Sequence, residues 1–215
     1  MTPADTVAVQ ATASMSETTE STTTASTAVV STTDAATRVF TIDQSQSEAR
    51  FMRDEELLGA PKTVVGTTPL VSGEITVDLT DLTKTTLSAI QIDASDLTTD
   101  SERRDGAMQR FVLQSNSEEY RYIIFTPTAI AGVPNTASAG ETIELQITGD
   151  LTISGVTKPV TFATTVTVAS DSQINGLATA QVLRSDYNLT IPSVPSVANV
   201  TDEVQLQFQF IANAS

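Results

Sequence analysis

The feature of this sequence that most restricts its fold is a two-residue alternation of apolar and polar side chains. In 143–153 the odd positions are apolar or glycine, and the even positions are polar. Segments 71–80, 160–168 and 204–210 show the same alternation. Because successive side chains of a β-strand point to opposite faces of the sheet, each segment predicts a strand with one buried face.

Further strands and turns are predicted along the chain after residue 37. Asn175-Gly176 is a strong hairpin signal, and 155–159 predicts a tight turn because it combines a glycine with a proline. Runs rich in β-branched and aromatic residues predict strands at 38–43, 47–54, 56–65, 85–93, 120–130 and 177–187.

Strands that each bury one face do not build a parallel sheet flanked by helices, so a sandwich or an up-and-down barrel remains. Strands of about ten to twelve residues favour an all-β antiparallel barrel of about eight strands. Such a barrel can hold an apolar ligand or a filled core. Gly73 and Gly149 lie on apolar faces, where they either leave room for a ligand or mark strand bends.

One segment departs from the alternation and predicts a short helical insert near 101–115. Ser101 is a residue type that caps helices, and Met108, Phe111 and Val112 follow at helical spacing. We expect one or two short helices here, placed between two strands.

The beginning of the chain differs in composition from the rest. Thr, Ser and Ala make up 25 of the 36 residues at positions 2–37, which contain no Lys or Arg. This stretch buries too little apolar surface to offset the entropy of ordering it. The sequence therefore predicts a disordered tether at 1–37 and one globular domain at 38–215.

A Ser/Thr-rich leader is typical of the processed end of an exported protein. We therefore expect this protein in the periplasm or the extracellular cell envelope, with a membrane tether through a lipidated cysteine ahead of this sequence. The alternative is a soluble protein with a mobile tail.

Composition excludes several kinds of chemistry. The 215 residues include no His, Cys or Trp, and 26 acidic side chains against 11 basic ones give a net charge of −15. Catalytic triads, cysteine nucleophiles and His or Cys metal sites are therefore excluded, and nucleic acid is not an expected partner. Asp93, Asp96 and Asp100 lack the glycine and closing glutamate of a calcium loop, so we predict no metal site.

Several motifs, met in order along the chain, resemble those of one family. The run at 149–160, Gly-Asp-Leu-Thr-Ile-Ser-Gly-Val-Thr-Lys-Pro-Val, is similar nearly letter for letter to the G-x-L-T-I-x-G-V-T-K-P-V run of YceI-like proteins. The segment 184–187, Arg-Ser-Asp-Tyr, resembles their R-S-D-F/Y element. Further similar segments lie at 39–43, 47–51, 71–75, 104–108 and 123–125.

The resemblance implies an extended, lipocalin-like barrel around a long apolar tunnel. It also implies binding of a polyisoprenoid chain, such as an isoprenoid quinone or a polyprenyl phosphate, in an exported protein that often forms dimers. Three places depart from the family pattern. Tyr120 or Arg121 occupies the region where a Pro commonly precedes the Ile-x-Phe strand. Gln46 stands where a His is common, and Asn188 stands where a Gly is usual.

We predict twelve ligand-binding residues and no catalytic ones. The twelve are Phe51, Ile75, Val77, Ile92, Arg104, Phe111, Phe125, Ile153, Phe162, Arg184, Tyr187 and Phe208. The apolar members either line the tunnel or form ordinary core. Arg104 and Arg184 can meet a phosphate or quinone oxygen at the tunnel mouth, since arginine makes bidentate contacts. Alternatively, Arg104 and Asp105 pin the insert by salt bridges and backbone hydrogen bonds, and Arg184 and Asp186, which share one strand face, are paired structurally at a barrel end.

Three functions remain open at this point. We predict non-enzymatic binding, sequestration or transport of an isoprenoid lipid, with no cofactor other than such a bound lipid or quinone. The second candidate is an enzyme that uses Asp and Arg side chains on the same lipids. The third is a tethered envelope stress or interaction protein with a filled core.

Overall fold

Thirteen strands account for more than half of residues 37–215, which are the residues that the computed structural model describes. They are β1 (Thr37–Ile42), β2 (Glu48–Leu57), β3 (Ala60–Thr68), β4 (Val71–Ser72), β5 (Glu74–Asp78), β6 (Thr86–Leu87), β7 (Ile90–Asp93), β8 (Tyr122–Ala131), β9 (Thr142–Ile153), β10 (Val156–Ser170), β11 (Gln173–Leu183), β12 (Val197–Ala198) and β13 (Glu203–Ala214). Helix α1 (Glu102–Ala107) continues into a π-helical turn at Met108–Val112. Short 3₁₀ turns lie at Leu82–Lys84, Ala94–Asp96 and Arg184–Tyr187.

The strands align into eight runs, because three long strands of the barrel are interrupted. β1 and β2 pair with successive parts of β13, so together they form the first run. β3, β4 and β5 form the second run, which pairs with the first through β2–β3 and β1–β5. β6, β7 and Thr98 form the third run along the other edge of the second.

The remaining runs are single strands, and their pairing closes a circuit. β7 pairs with β8, and β8, β9, β10 and β11 then pair in chain order. β13 pairs with β11 on one side and with the first run on the other. β12 pairs with the end of β2. The predicted all-β, eight-stranded antiparallel barrel is confirmed, and interruptions within its runs raise the count of strands to thirteen.

The interruption of the first run is stabilised by side chains that replace main-chain pairing. Between β1 and β2, Asp43 Oδ1 accepts hydrogen bonds from the Ser45 backbone N–H (3.0 Å) and hydroxyl (2.6 Å). The buried Ser47 hydroxyl accepts from the Ile211 N–H (3.1 Å) and donates to the Ile211 carbonyl (3.3 Å). Gln46, which stands where the family often has His, donates to Asp43 Oδ2 at 2.6 Å.

The predicted tether at 1–37 lies outside the described residues except for its last residue. Thr37 pairs with Asp78 as the first residue of β1, so the barrel begins one residue earlier than predicted. Among residues 37–215, no helix combines the length and apolar character needed to cross a membrane.

The prediction of a hairpin turn at Asn175-Gly176 is wrong. Both residues lie within β11, where they pair with Thr167 and Val166 of β10, and the chain reverses between β10 and β11 at 171–172. Gly176 is needed in the strand for space: a Cβ atom there would lie 2.7 Å from Phe210 Cζ and 2.5 Å from the Thr165 carbonyl oxygen.

Two other turns differ from the prediction. The break expected at residue 55, between strands at 47–54 and 56–65, is absent: β2 continues to Leu57 and meets β3 at Leu58-Gly59, both with positive φ (53° and 81°). The turn expected over 155–159 is confined to Ser154 and Gly155, with φ of 47° and 78°. Positive φ at both central residues is the mark of a type I′ turn, whose twist matches that of paired strands.

Glycines in the strands make room for aromatic rings inside the barrel. Gly149 lies in the uninterrupted β9, and a Cβ there would meet Phe125 Cζ at 2.7 Å and the Thr126 carbonyl oxygen at 2.5 Å. The ring of Phe125 in turn packs edge-to-face on Phe162, with centroids 4.9 Å apart. Gly149 therefore leaves space for a core ring, and it pairs with Pro127 beside a register shift between Pro127 and Ala129 of β8.

The contact between Gly149 and Phe125 predicts a specific cost of adding one methyl group. We expect Gly149→Ala to lower the free energy of unfolding by about 2 kcal/mol, because overpacking against a ring and a carbonyl forces both to move. Gly106→Ala is the control: Gly106 lies in α1 with open space around it, so the alanine is expected to stabilise by about 0.5 kcal/mol or more. Urea unfolding measures both. Equal effects of the two variants would contradict this account of Gly149.

Candidate functional site

The interior of the barrel holds an apolar cavity of about 230 Å³. Its lining includes Ile42 and Ala49 in the first run, Phe125 in β8, Leu151 in β9 and Phe210 in β13. Polar side chains contribute little to this surface: those that line it are Arg50, Thr68, Thr85, Thr164 and Gln207. We call this space the inner cavity. A surface of this kind can hold a hydrocarbon chain but offers few polar groups to a head group.

Eight of the twelve predicted site residues line the inner cavity. They are Phe51, Ile75, Val77, Ile92, Phe125, Ile153, Phe162 and Phe208. The period-two pattern placed their side chains on the inward face, and the closed circuit brings these faces together.

A second cavity of about 320 Å³ adjoins the first and differs from it in chemistry. It is covered by α1 and by the segment 187–197, which includes the apolar side chains of Leu189, Ile191 and Val194. Five residues line both cavities: Phe51, Leu97, Ile123, Ile153 and Leu206. We call this space the arginine chamber, because Arg53, Arg103, Arg104 and Arg184 line it.

One buried carboxylate holds two of these arginines in place. The Glu55 side chain is 1% exposed, and its two oxygens each lie 3.1 Å from an Nη2 atom, one of Arg53 and one of Arg104. Arg104 also pairs with Asp100. Burial lowers the pKa of Arg53, and Arg104 and Arg184 add to this effect, while Glu55 opposes it. The chamber therefore carries more positive charge than its one lining carboxylate balances.

Arg104 and Asp105 both hold the insert, each through different partners. Asp105 is buried, and its Oδ1 accepts from the Thr99 N–H (2.8 Å) and hydroxyl (2.6 Å). Arg104 reaches in the other direction, to Glu55 on β2. The two residues therefore fix α1 at two points, Asp105 to Thr99 and Arg104 to Glu55.

Arg184 occupies a different setting from the one predicted. The strand ends at Leu183, and Arg184–Tyr187 forms a 3₁₀ turn, so Arg184 and Asp186 do not share a strand face. Arg184 Nη1 donates to the Leu189 carbonyl (2.7 Å), and its Nη2 lies 3.5 Å from Asp202. The turn closes with Asn188 at φ 56°, a left-handed conformation that asparagine tolerates better than most residues.

Three buried polar atoms of the chamber lack a hydrogen-bond partner. Among the described residues, Arg53 Nη1, Arg184 Nε and the Tyr187 hydroxyl are the buried side-chain nitrogen and oxygen atoms in this state. Tyr187 is 2% exposed, and burial raises its pKa to about 12, so the hydroxyl keeps its proton and can donate. Buried polar groups are normally paired, so three such atoms on residues around one chamber make it a candidate binding site.

The prediction that Phe111 lies inside the barrel is wrong. Its side chain is 63% exposed, and neither cavity includes it. The reason is the π-helical turn, in which the Leu113 N–H donates to the Met108 carbonyl, five residues back. This wider turn puts Met108 and Leu113 on the buried side and leaves Phe111 pointing to solvent.

The main residues that sequence reasoning missed are Arg53 and Glu55. Both lie on the inward face of β2, two and four positions after Phe51. The period-two rule identifies them once β2 is known to be continuous to Leu57. The predicted break near residue 55 hid that signal. No cluster of acidic side chains within 37–215 has the arrangement of a metal site.

Together these features define a class: a closed antiparallel barrel with an apolar interior that opens into a chamber lined by arginines. Residues 40–212 match the profile of the YceI-like domain family. The match covers most of the chain, and the protein belongs to the YceI-like family.

Solved structures of low sequence identity share the fold. A polyisoprenoid binding domain from Saccharophagus degradans implicated in plant cell wall breakdown is 16% identical, with a TM-score of 0.65, and the match covers 82% of this chain and 98% of that one. BcnA from Burkholderia cenocepacia is 22% identical, with a TM-score of 0.59 over 80% and 99%. The YCEI protein of Campylobacter jejuni is 20% identical, with a TM-score of 0.53 over 67% and 81%. A search of curated proteins found no match.

Glu55 pairs with both Arg53 and Arg104, and we therefore predict that its carboxylate stabilises the fold. We expect Glu55→Gln to lower the free energy of unfolding by about 3 kcal/mol, because two buried guanidinium groups lose their common counter-charge. Glu56→Gln, on the opposite face of the same strand, is expected to change it by less than about 0.5 kcal/mol. Urea unfolding compares the two. A loss as small as that of the control would show that solvent already screens the pair.

The unpartnered Tyr187 hydroxyl predicts an effect of the opposite sign. We expect Tyr187→Phe to raise the free energy of unfolding of the ligand-free protein by about 1 kcal/mol, since it removes an orphan polar group and keeps the ring. Chemical denaturation of delipidated protein measures this. A destabilised variant would mean that the hydroxyl has a partner within the fold.

Proposed function

We propose that this protein binds the hydrocarbon chain of an isoprenoid lipid in the inner cavity and sequesters or transports that lipid. The observation that carries the proposal is the continuity of an apolar cavity with a polar chamber through shared walls. Each methylene-sized group that leaves water contributes roughly 0.8 kcal/mol, so a prenyl chain gains more from this surface as its length increases.

Two findings support a polyisoprenoid as the ligand class. The protein belongs to the YceI-like family, and a solved neighbour with the same fold is described as a polyisoprenoid binding domain. An isoprenoid quinone and a polyprenyl phosphate share the prenyl chain that the inner cavity suits. They differ in the head group, which would lie in the arginine chamber.

Binding without catalysis is the function we favour over an enzyme. Of the residues lining either cavity, Glu55 alone carries a carboxylate, and it is held by Arg53 and Arg104. General acid–base work without His needs a carboxylate free to exchange protons with the substrate. The filled-core alternative does not fit an interior that contains two adjoining cavities.

We further propose that the protein works in the cell envelope, as a tethered or exported carrier, and that it forms homodimers. Fractionation of source cells and the intact mass of the purified native protein test the location, since a lipid anchor adds several hundred daltons. Light scattering of the purified protein tests the dimer.

The direct test of function is to identify what the protein carries. Protein purified from its source without detergent is extracted with chloroform, and the extract is examined by mass spectrometry. A prenyl lipid in stoichiometric amount, together with a rise in melting temperature when the same lipid is returned, is the expected result. An extract without lipid and no thermal shift with added quinone or prenyl phosphate would overturn the proposal.

A variant that fills the inner cavity predicts loss of lipid binding. Ala178 is buried in β11 and lines this cavity, so Ala178→Phe is expected to weaken binding of a long prenyl chain by about tenfold or more, because the ring replaces several buried chain carbons. Leu177→Phe places the same ring at an exposed position on the other face of the strand and is expected to leave affinity unchanged.

Isothermal titration calorimetry with geranylgeranyl and shorter prenyl ligands measures the affinity of Ala178→Phe and of Leu177→Phe for each chain length. Circular dichroism checks that each one folds. Equal affinity of Ala178→Phe and the parent protein for the longest chain would show that the chain binds elsewhere.

A further inference from the structure

The arginine chamber concentrates positive charge in a protein that is otherwise acidic. The chain has 11 basic side chains against 26 acidic ones, yet four arginines line this one cavity. Among the lining residues, Glu55 is the single opposing charge, and Arg53 and Arg104 share it. Asp100 and Asp202 pair with Arg104 and Arg184 but do not line the chamber. A lining with four arginines and one glutamate favours a negatively charged ligand.

Three residues that line the same chamber also carry buried donors without a partner. Arg53 Nη1 and Arg184 Nε are N–H donors, and the Tyr187 hydroxyl keeps a proton to donate. The Arg53 side chain is 11% exposed and Tyr187 is 2% exposed, so water in bulk does not satisfy them. A quinone or alcohol oxygen can accept one or two hydrogen bonds, but it adds no negative charge to a lining of four arginines and one glutamate.

The chamber lies where the head group of a bound prenyl lipid would emerge. Phe51 lines both cavities, and Arg53 follows it at the next inward position of β2, about 7 Å along the strand. Ile153 and Leu206 continue the same shared wall. A chain that fills the inner cavity and passes this wall brings its polar end close to the three residues that carry the orphan donors.

We infer that the arginine chamber is a binding site for an anionic oxygen head group, a phosphate monoester or a carboxylate, held by Arg53, Arg184 and Tyr187. This inference rests on the proposed function and selects an acidic prenyl lipid over a neutral quinone or alcohol. Glu55 positions Arg53 and Arg104 for that contact. The anion supplies the acceptors that the orphan donors lack.

The test compares three ligands with one prenyl chain and different ends. Geranylgeranyl phosphate, geranylgeranoic acid and geranylgeraniol are titrated calorimetrically into delipidated protein. We expect the phosphate to bind about tenfold or more tighter than the alcohol, because two guanidinium groups contact its charge. The carboxylate arm shows which of the two anions the chamber prefers. Equal affinity for the phosphate, the acid and the alcohol would overturn the inference and leave the proposed function intact, whereas no binding of any of them would overturn both.

Variants of the chamber assign the effect to its residues. Tyr187→Phe keeps the ring and is expected to reduce the phosphate's advantage over the alcohol by about three- to tenfold, as loss of one hydrogen bond to a charged group predicts. Arg53→Met is expected to remove most of that advantage. Arg110→Met is the matched control, since Arg110 is exposed on the same insert and lines neither cavity.

A phosphorus NMR titration gives a readout that folding alone does not change. Bound geranylgeranyl phosphate is expected to lose its second proton at lower pH than the free ligand, because neighbouring guanidinium groups favour the dianion. In Arg53→Met the bound titration should return toward that of the free ligand. A bound phosphate that titrates like the free one in the parent protein would show that its head group lies in solvent, outside the chamber.

Discussion

The barrel depends on the short pairings that join the second run to the third. They link β4 with β7, β5 with β6, and Thr67 with Thr98. Without them the sheet would have two open edges, and its apolar faces would not enclose a volume. Val71 is completely buried at this seam. Both cavities exist because the circuit closes, since their linings come from runs on either side of the seam.

The change from an apolar cavity to a charged chamber follows the inward face of β2. Ala49 and Phe51 line the inner cavity, and Phe51, Arg53, Glu55 and Leu57 line the chamber. Because inward positions recur every second residue, a single strand carries both surfaces and sets the distance between them. The insert α1 then covers the chamber through the pairing of Arg104 with Glu55. A hydrocarbon chain and a polar end are therefore received by one continuous element.

Much of the fold was predictable because apolar and polar side chains alternate in this chain wherever a strand buries one face. The long strands β9, β10 and β13 and the helical insert were predicted, and eight inner-cavity residues followed from the same rule. The errors arose where local signals compete with packing. Asn175-Gly176 has the composition of a turn, yet the glycine serves the ring of Phe210 inside a strand. Phe111 has helical spacing, yet a π-helical turn changes the phase of the helix.

The chamber is the part of the site that local sequence patterns predict least well, because segments that are distant in the sequence come together to form it. Arg53 from β2 and Arg184 from the turn after β11 meet only in the folded barrel. The charge on Arg53 and the orphan donors of the chamber cost stability that an apolar lining would not cost. Side chains that lower the stability of the fold are expected at a ligand-binding site. Four of the eight arginines line the chamber, whereas Glu55 is the one acidic residue in its lining, and this arrangement suits an anionic partner.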